Sequence, residues 1–464
     1  MPKPTANGFN AKTEAMPSSL TTGAGALAIA ERNVPRYTSY PTAPHFTADV
    51  GPEVYADWLG RLPRQATVSL YIHVPFCSEL CFYCGCNTRA VRRREPVEAY
   101  AAHLLGEIAL LGGLAARKLT HLHWGGGTPS ILGPQWLETI AARLAALFDL
   151  RGLKEHAIEL DPRRLDRALV RTLADIGVTR ASLGMQDASP QVQRAIGRIQ
   201  PFDIVECAAD WLREAGIEDL NIDLMYGLPG QSAREVARSA ELAASLKPQR
   251  LALFGYAHVP WFKTHQRLID EAALPGLSAR LEQAQVAAET LQGLGYLPVG
   301  LDHFALPSDA LAIAARDQRL RRNFQGYTTD AADALIGLGA SAIGRLPQGF
   351  VQNAPDVAGY ARAVGNGRFA TMKGLALTDD DRLRAAVIER LMCDLEVDLD
   401  ELEGGAHYFA RELATFHSLA QEGLVRVEGH RVAMTPQARP FVRIAAAVFD
   451  AYLGSGEKRH SLAV

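Results

Sequence analysis

Cysteine is scarce. Six residues in 464 cannot staple a chain of this length, so a disulfide framework is excluded. Four of the six fall between positions 77 and 86. Long apolar runs are missing as well: no stretch approaches the roughly 18 uninterrupted apolar residues of a membrane span. Strong net charge is also absent. The 48 Lys and Arg against 51 Asp and Glu leave −3, which disfavours general polyanion binding. Residues 1–33 lack the basic start and longer apolar core of a secretory signal, and their longest apolar run, 24–30, is broken by Gly25. That segment reads as a mobile tail, and a cytoplasmic, reducing compartment is expected. What remains is ordinary globular material, 48% hydrophobic. It suffices for a large core over about three domain-lengths.

Between about residues 65 and 350, short β-branched runs alternate with amphipathic segments. Strands are expected at 68–74, 119–124, 157–160, 181–185, 219–225, 250–256, 297–302 and 336–343. Helices are expected at 96–111, 135–148, 202–215, 233–246 and 279–294. Such alternation predicts parallel βα units, closed as a barrel or open as a doubly wound sheet. Polar and glycine residues recur at the ends of six of these strands: His73 and Cys77, Gly125–Thr128, Glu159 and Asp161, Gln186 and Asp187, Asp223 and Tyr226, Tyr256 and His258. That recurrence favours one active-site face of an α/β barrel, here a partial (β/α) TIM-like one.

Residues 34–64 form a separate segment ahead of the barrel, and the character changes again from about 370. Thr378 and three aspartates open a helix. A second helix is expected near 407–421, a hairpin over 424–434 with Gly429 at its turn, and a last helix after Pro436. This small, mostly helical C-terminal domain, 370–464, has a winged-helix-like order. Over 378–464 it carries 15 acidic against 10 basic side chains, which argues against nucleic acid and for a lid or docking role.

Cys77, Cys81, Cys84 and Cys86 read C-x3-C-x2-C-x-C. Three thiolates on one loop can hold three corners of a cubane iron–sulfur cluster. Zinc is the alternative, but structural zinc usually takes two knuckles separated by a longer loop, and no second pair exists. Cys207 and Cys393 sit in apolar helices and are expected in the core. The glycines of 125–127 allow close approach of a ligand to backbone.

C-x3-C-x2-C is the signature loop of the radical S-adenosylmethionine (SAM) superfamily. The chain resembles more narrowly the oxygen-independent coproporphyrinogen III oxidases. The resemblance rests on YIHVPFC at 71–77, CFYCGC at 81–86, PRYTSYP at 35–41 and HWGGGTP at 123–129. NIDLMYGLP at 221–229, YAH at 256–258, DHF at 302–304 and NFQGYTT at 323–329 complete it. It covers the chain from about residue 34. It implies a 4Fe-4S cluster on Cys77, Cys81 and Cys84, and a required but non-ligating Cys86. It implies contacts of Tyr71, Gly126, Glu159, Ala257 and Ile343 with a cluster-bound SAM. Tyr83, Gly127, Thr128, Gln186, Arg198 and Asp223 match contacts with a second SAM. Tyr71 and Cys86 are the candidate catalytic residues.

The reaction implied is oxidative decarboxylation of two propionates of coproporphyrinogen III to the vinyl groups of protoporphyrinogen IX. In it, 5′-deoxyadenosyl radicals remove a hydrogen from the propionate β-carbon, and loss of carbon dioxide and one further electron leaves the vinyl. A reductant protein such as a flavodoxin or ferredoxin is implied as partner, and a monomer is expected. The family pattern places Asn before and Glu after the arginine at 198, whereas this chain has Gly197 and Ile199. Four carboxylates on the substrate call for cations, with Arg36, Lys263, Arg321 and Arg322 as candidates. A haem-binding chaperone of the same superfamily is a rival. Such relatives lack the 35–41 segment and carry a non-cysteine residue at the position of Cys86. An RNA methylase is disfavoured by the acidic C-terminal region.

Overall fold

Alternation along single strands sets the architecture. In Val68–Val74 (β1), Val68, Leu70, Ile72 and Val74 are buried on one face, while Ser69, Tyr71 and His73 point to the other. The same two-residue period runs through Leu119–Gly126 (β2), Glu155–Leu160 (β3), Arg180–Gln186 (β4), Asp219–Tyr226 (β5) and Arg250–Gly255 (β6). These pair in parallel in that order, and Ala334–Leu338 (β7) closes onto the far side of β1. The computed structural model describes residues 31–454, so most of the expected N-terminal tail lies outside the described residues.

The apolar face of the parallel strands is covered by Glu95–Leu110 (α1), Pro134–Leu147 (α2), Arg167–Asp175 (α3), Phe202–Glu214 (α4), Ala233–Ser245 (α5) and Leu277–Gly293 (α6). They form one continuous core with β1 to β7. The opposite face is polar, because it lines a cavity. Ser69, His123, Glu159, Ser182 and Asp223 reach that cavity from five different strands, so the sheet curves around it. The result is a partial TIM-like barrel. Seven parallel strands sit inside a twelve-stranded sheet that antiparallel strands extend at both edges. With the turn that extends it to Leu114, α1 is long and apolar enough to cross a membrane by length and composition, at a mean hydropathy of 1.2. Here its Val97, Tyr100, Leu104 and Ile108 are buried in the core.

Two expected strands are shorter than read. The 336–343 run is β7, a reversal through Gly339 to Ala342, and the antiparallel strand Ile343–Leu346. The 297–302 run is Leu297–Val299, which turns into His303–Ala305. Cys207 is exposed rather than core, because it falls on the solvent face of α4 beside buried Val205 and Ala208. Cys393 is buried as expected.

The C-terminal region has its own core, shared with Val34, Tyr37 and Tyr40 ahead of the barrel and with Leu281 of α6. Asp379–Asp394 (α7) starts on a capping box between Thr378 and Asp381. The second expected helix is interrupted at Phe409 into Gly405–Tyr408 (α8) and Ala410–Gln421 (α9). Glu396–Asp398 joins the hairpin as a third strand. After Pro436 the chain runs as a 3-10 turn, Pro436–Phe441, and then as Val442–Ala447 (α10).

Candidate active site

The cysteine loop leaves the end of β1 and is tied down from three sides. Phe76–Cys77 pairs with Arg89–Ala90, and the Val91 N–H donates to the Cys77 carbonyl at 2.8 Å. Phe82 N–H donates to Ile196 O at 2.9 Å. From the loop after β6, Lys263 Nζ donates to Cys86 O (2.8 Å), His265 Nε2 to Cys84 O (2.7 Å) and Gln266 Nε2 to Tyr83 O (2.9 Å). Sequence reasoning offered Lys263 as a substrate cation. The structure uses it to hold the cysteine loop.

The sulfurs face donors. Thr128 Oγ1 donates to Cys77 Sγ at 3.4 Å, and Thr88 Oγ1 lies 3.3 Å from the same sulfur. Arg198 Nη1 donates to Cys81 Sγ at 3.6 Å, and Arg163 Nη2 lies 3.9 Å away. A hydrogen bond from Cys86 draws the Cys84 thiol down to about 7 against burial, helped by Lys263 and Arg198. Burial pushes Cys77 up. Hydrogen bonds and cations aimed at sulfur suit thiolates carrying an iron–sulfur cluster. Among the described residues, no three His, Cys, Asp or Glu side chains converge as a cage for one metal ion.

Below the loop opens a cavity of about 800 Å³. All four cysteines line it with Tyr83, Gly126, Gly127, Thr128, Glu159, Gln186, Arg198, Asp223 and Ala257. Thirteen residues singled out by the cysteine motif, the strand ends and the family resemblance thus border one cavity. Tyr71 and Ile343 do not line it. Tyr71 stands behind, its ring 5.7 Å from His123. Its hydroxyl donates to His73 Nδ1 at 3.0 Å, since His73 Nε2 already donates to Asn87 O at 2.9 Å. Burial holds His73 below its usual range, so the ring is neutral.

Glu159 accepts from Gly126 N–H at 3.1 Å and His123 Nε2 at 3.2 Å. Burial drives its carboxyl up, but His123 and that amide outweigh it and hold Glu159 below the usual range. Asp223 accepts from Asn221 Nδ2 (2.7 Å) and Ser182 Oγ (3.1 Å). Burial and the Glu159 charge push it up to about 6. Arg198 donates to Gly184 O at 2.7 Å and pairs with Asp161 at 3.4 Å.

Several features fit a bound adenosyl-amino-acid cofactor. Arg198 Nε and Asn221 Oδ1 are buried without a partner, and both residues line the cavity. A Cβ on Gly126 would fall 2.7 Å from the His73 ring, and one on Gly127 2.5 Å from Phe76 O, so only glycine lets this backbone border the cavity. Gly197, one of the two departures from the family pattern, sits at φ +64 with the Phe82 ring 2.8 Å from any Cβ. Ile199, the other, is 64% exposed. Beside them Arg198 is held by Gly184 O, Asp161 and Cys81 Sγ.

A second, larger cavity of about 1520 Å³ shares Arg36, Phe254, Gly255, His303 and Gln325 with the first. Of the candidate cations, Arg36 and Arg322 line it. Arg321 does not, because it turns outward to Glu389 at 3.0 Å. Arg280, Arg439 and Arg443 also line this cavity and escaped sequence reasoning. The one local signal was two arginines four apart in the otherwise apolar run 438–447.

A profile of the radical SAM superfamily matches residues 71–243, and one of the HemN C-terminal domain matches 377–441. The oxygen-independent coproporphyrinogen III oxidase of Bradyrhizobium diazoefficiens is 47% identical over 95% of this chain and 99% of its own length. That of Escherichia coli is 38% identical over 90% and 93%. Among solved structures, coproporphyrinogen III oxidase (HemN) from Escherichia coli, a radical SAM enzyme, superposes with a TM-score of 0.86 at 36% identity, covering 91% of this chain and 100% of that one. The clamped cysteine loop, the polar barrel interior and these near full-length matches agree, and the chain belongs to the oxygen-independent coproporphyrinogen III oxidases of the radical SAM superfamily.

Proposed function

We infer that the chain is an oxidoreductase of porphyrin and haem biosynthesis, converting two propionates of coproporphyrinogen III to the vinyl groups of protoporphyrinogen IX without oxygen. The observation that carries this reading is the adjacency of two cavities. A polar one beneath the cysteine loop shares a wall with a larger one that has room for a macrocycle and arginines for its carboxylates.

When bound, a 4Fe-4S cluster on Cys77, Cys81 and Cys84 with SAM supplies the one-electron cleavage and hydrogen abstraction that start the reaction. The protein's own residues bind and orient. Glu159 offers an ionised acceptor beside the Gly126 amide, suited to an ammonium or ribose hydroxyl. Asp223, Gln186 and Arg198 offer a second polar set on β4, β5 and the loop between β4 and α4. Two such sets in one room support two SAM molecules. The first set is Gly126, Glu159 and Ala257, to which the resemblance adds Tyr71 and Ile343 from outside the lining, and the second is Tyr83, Gly127, Thr128, Gln186, Arg198 and Asp223. Cys86 adds a thiol to the cavity wall, and the resemblance gives it a role other than cluster ligand. The proposed state is a monomer. The electron comes from a one-electron carrier such as a flavodoxin or ferredoxin.

The test is an anaerobic assay of reconstituted protein with coproporphyrinogen III, SAM and a reductant, reading protoporphyrin fluorescence after oxidation and 5′-deoxyadenosine release. Both products are expected. Cys86→Ser should retain the cluster's visible absorbance and lose the porphyrin product. Cleavage of SAM with no porphyrin product from the unaltered protein would hand the site to another substrate.

A further inference from the structure

The three most exposed large hydrophobic side chains among the described residues are Phe262 (74%), Ile199 (64%) and Leu268 (63%). All three stand on the two segments that clamp the cysteine loop. Ile199 closely follows Ile196, whose carbonyl accepts from Phe82 N–H. Phe262 and Leu268 flank Lys263, His265 and Gln266, which hold the carbonyls of Cys86, Cys84 and Tyr83. Ile196 and Ile269 belong to one apolar cluster with the Phe82 ring packed against it, so the two segments meet beside the loop. Large apolar side chains left in solvent at one place mark an interaction surface.

The open charges there are positive. Arg194 and Arg267 are exposed and carry no ion pair among the described residues. The nearby carboxylates are engaged. Asp270 accepts from Ala272 N–H at 3.1 Å, and Glu271 pairs with His258 at 2.9 Å. Glu79, on the cysteine loop, pairs with Arg163 and Arg164. An apolar centre with a cationic rim fits a partner whose own rim is acidic. A second copy of this chain would bring the same arginines to the contact and supply no opposite charge. Ile199 also stands where the family pattern has Glu, and it lines neither cavity, so the cofactor site does not account for it. A carboxylate there would repel an acidic partner, whereas isoleucine offers it apolar contact.

Resting on the reading of the function given above, we propose that this surface docks the electron donor, a one-electron carrier protein with an acidic face around its redox group. The docked carrier touches the segments that hold Tyr83, Cys84 and Cys86, and so stands beside the cysteines that would carry the cluster. One electron leaves the carrier and enters the cluster, with no bond or proton exchanged.

Stopped-flow mixing of the reconstituted full chain with a reduced flavodoxin and, separately, a reduced ferredoxin tests this. Both carriers are chosen for acidic surfaces, and the readout is bleaching of the cluster's visible absorbance. At least one carrier should reduce the unaltered protein, at a rate that falls with added salt. Phe262 borders the smaller cavity, so the variants are taken at Ile199 and Leu268, which do not. Ile199→Glu and Leu268→Glu should each slow carrier-driven bleaching about tenfold or more, because a charge replaces an apolar contact against an acidic face. Arg194→Glu combined with Arg267→Glu should slow it and flatten the salt dependence. Bleaching by dithionite, which needs no docking surface, should be unchanged in every variant. Unchanged carrier-driven rates in Ile199→Glu and Leu268→Glu overturn the surface. Equal slowing with dithionite places the effect inside the cluster site and overturns it as well. Reduction of the unaltered protein by neither carrier overturns the class of partner. Failure of the unaltered protein to convert coproporphyrinogen III, with bleaching intact, would overturn the underlying function instead.

Discussion

Glu159 and Asp223 face one cavity from β3 and β5, and their environments drive them apart. His123 and the Gly126 amide keep Glu159 ionised against its burial. Asp223 has only neutral donors, and burial together with the Glu159 charge lifts it to about 6. Glu159→Gln removes the charge and keeps one acceptor. A charge-assisted hydrogen bond is worth about 1.5–3 kcal/mol, so SAM affinity of the reconstituted protein should fall at least about tenfold, as read by equilibrium dialysis. Unchanged affinity would remove Glu159 from the cofactor site. Glu159 and Asp223 were legible because strand ends with period-two spacing announce which side chains face inward. Lys263 was legible as a cation, but its partner, Cys86 O, lies 177 positions away. No local pattern marks a contact formed only by tertiary packing. Arg439 was hidden for the same reason.

At the scale of elements, α1 ties β1 to the chain reversal that follows β7. Its Glu107 accepts from Gly339 N–H (2.7 Å), Asn353 Nδ2 (2.6 Å) and Tyr360 OH (2.8 Å). Its Tyr100 donates to His73 O at 2.7 Å and accepts from Ala340 N–H at 2.8 Å. Burial pushes Glu107 up to about 7 in spite of these donors. Its folded value therefore lies above the ordinary 4.5, and folding favours the protonated form. That contribution is fully present below about pH 4.5 and is lost as pH rises through 7, an effect of order 3 kcal/mol. Urea unfolding of the protein should show stability falling over this window, and Glu107→Gln should flatten the fall. Asp187 and Asp394, both raised to about 6, act alike in the two proteins and cancel in the difference. Parallel curves would refute the assignment. The Glu107 staple also explains the misread strand. From the sequence, 336–343 continues an apolar run, and only a carboxylate 232 positions earlier, bonded to the Gly339 amide, shows where the chain reverses. β1 and α4, with strict period-two and helical patterns of their own, began where the pattern placed them.

At the scale of the whole molecule, residues 34–41 strap the barrel to the C-terminal core. Tyr37 OH donates to Asp450 at 2.9 Å, and Ala451 N–H donates to Tyr40 OH at 2.9 Å. Arg322 Nε reaches Tyr37 O at 3.2 Å, and Arg443 holds Pro35 O. Arg36 and Thr38 of the same strap line the larger cavity. A porphyrin seated there touches the barrel mouth, the strap and the C-terminal arginines together, so its binding should tighten all three at once. A ligand that binds only the folded state adds RT ln(1 + [L]/Kd), about 2.7 kcal/mol at a hundredfold excess over Kd. Amide hydrogen exchange with coproporphyrin III present should therefore slow over 34–41 and 436–447 as well as at the ends of β5 and β6. The opening of strap and C-terminal region, which are separate in sequence, becomes coupled to ligand release. Protection confined to the strands of the sheet would place the macrocycle inside the barrel and leave the strap and the C-terminal region outside the binding site.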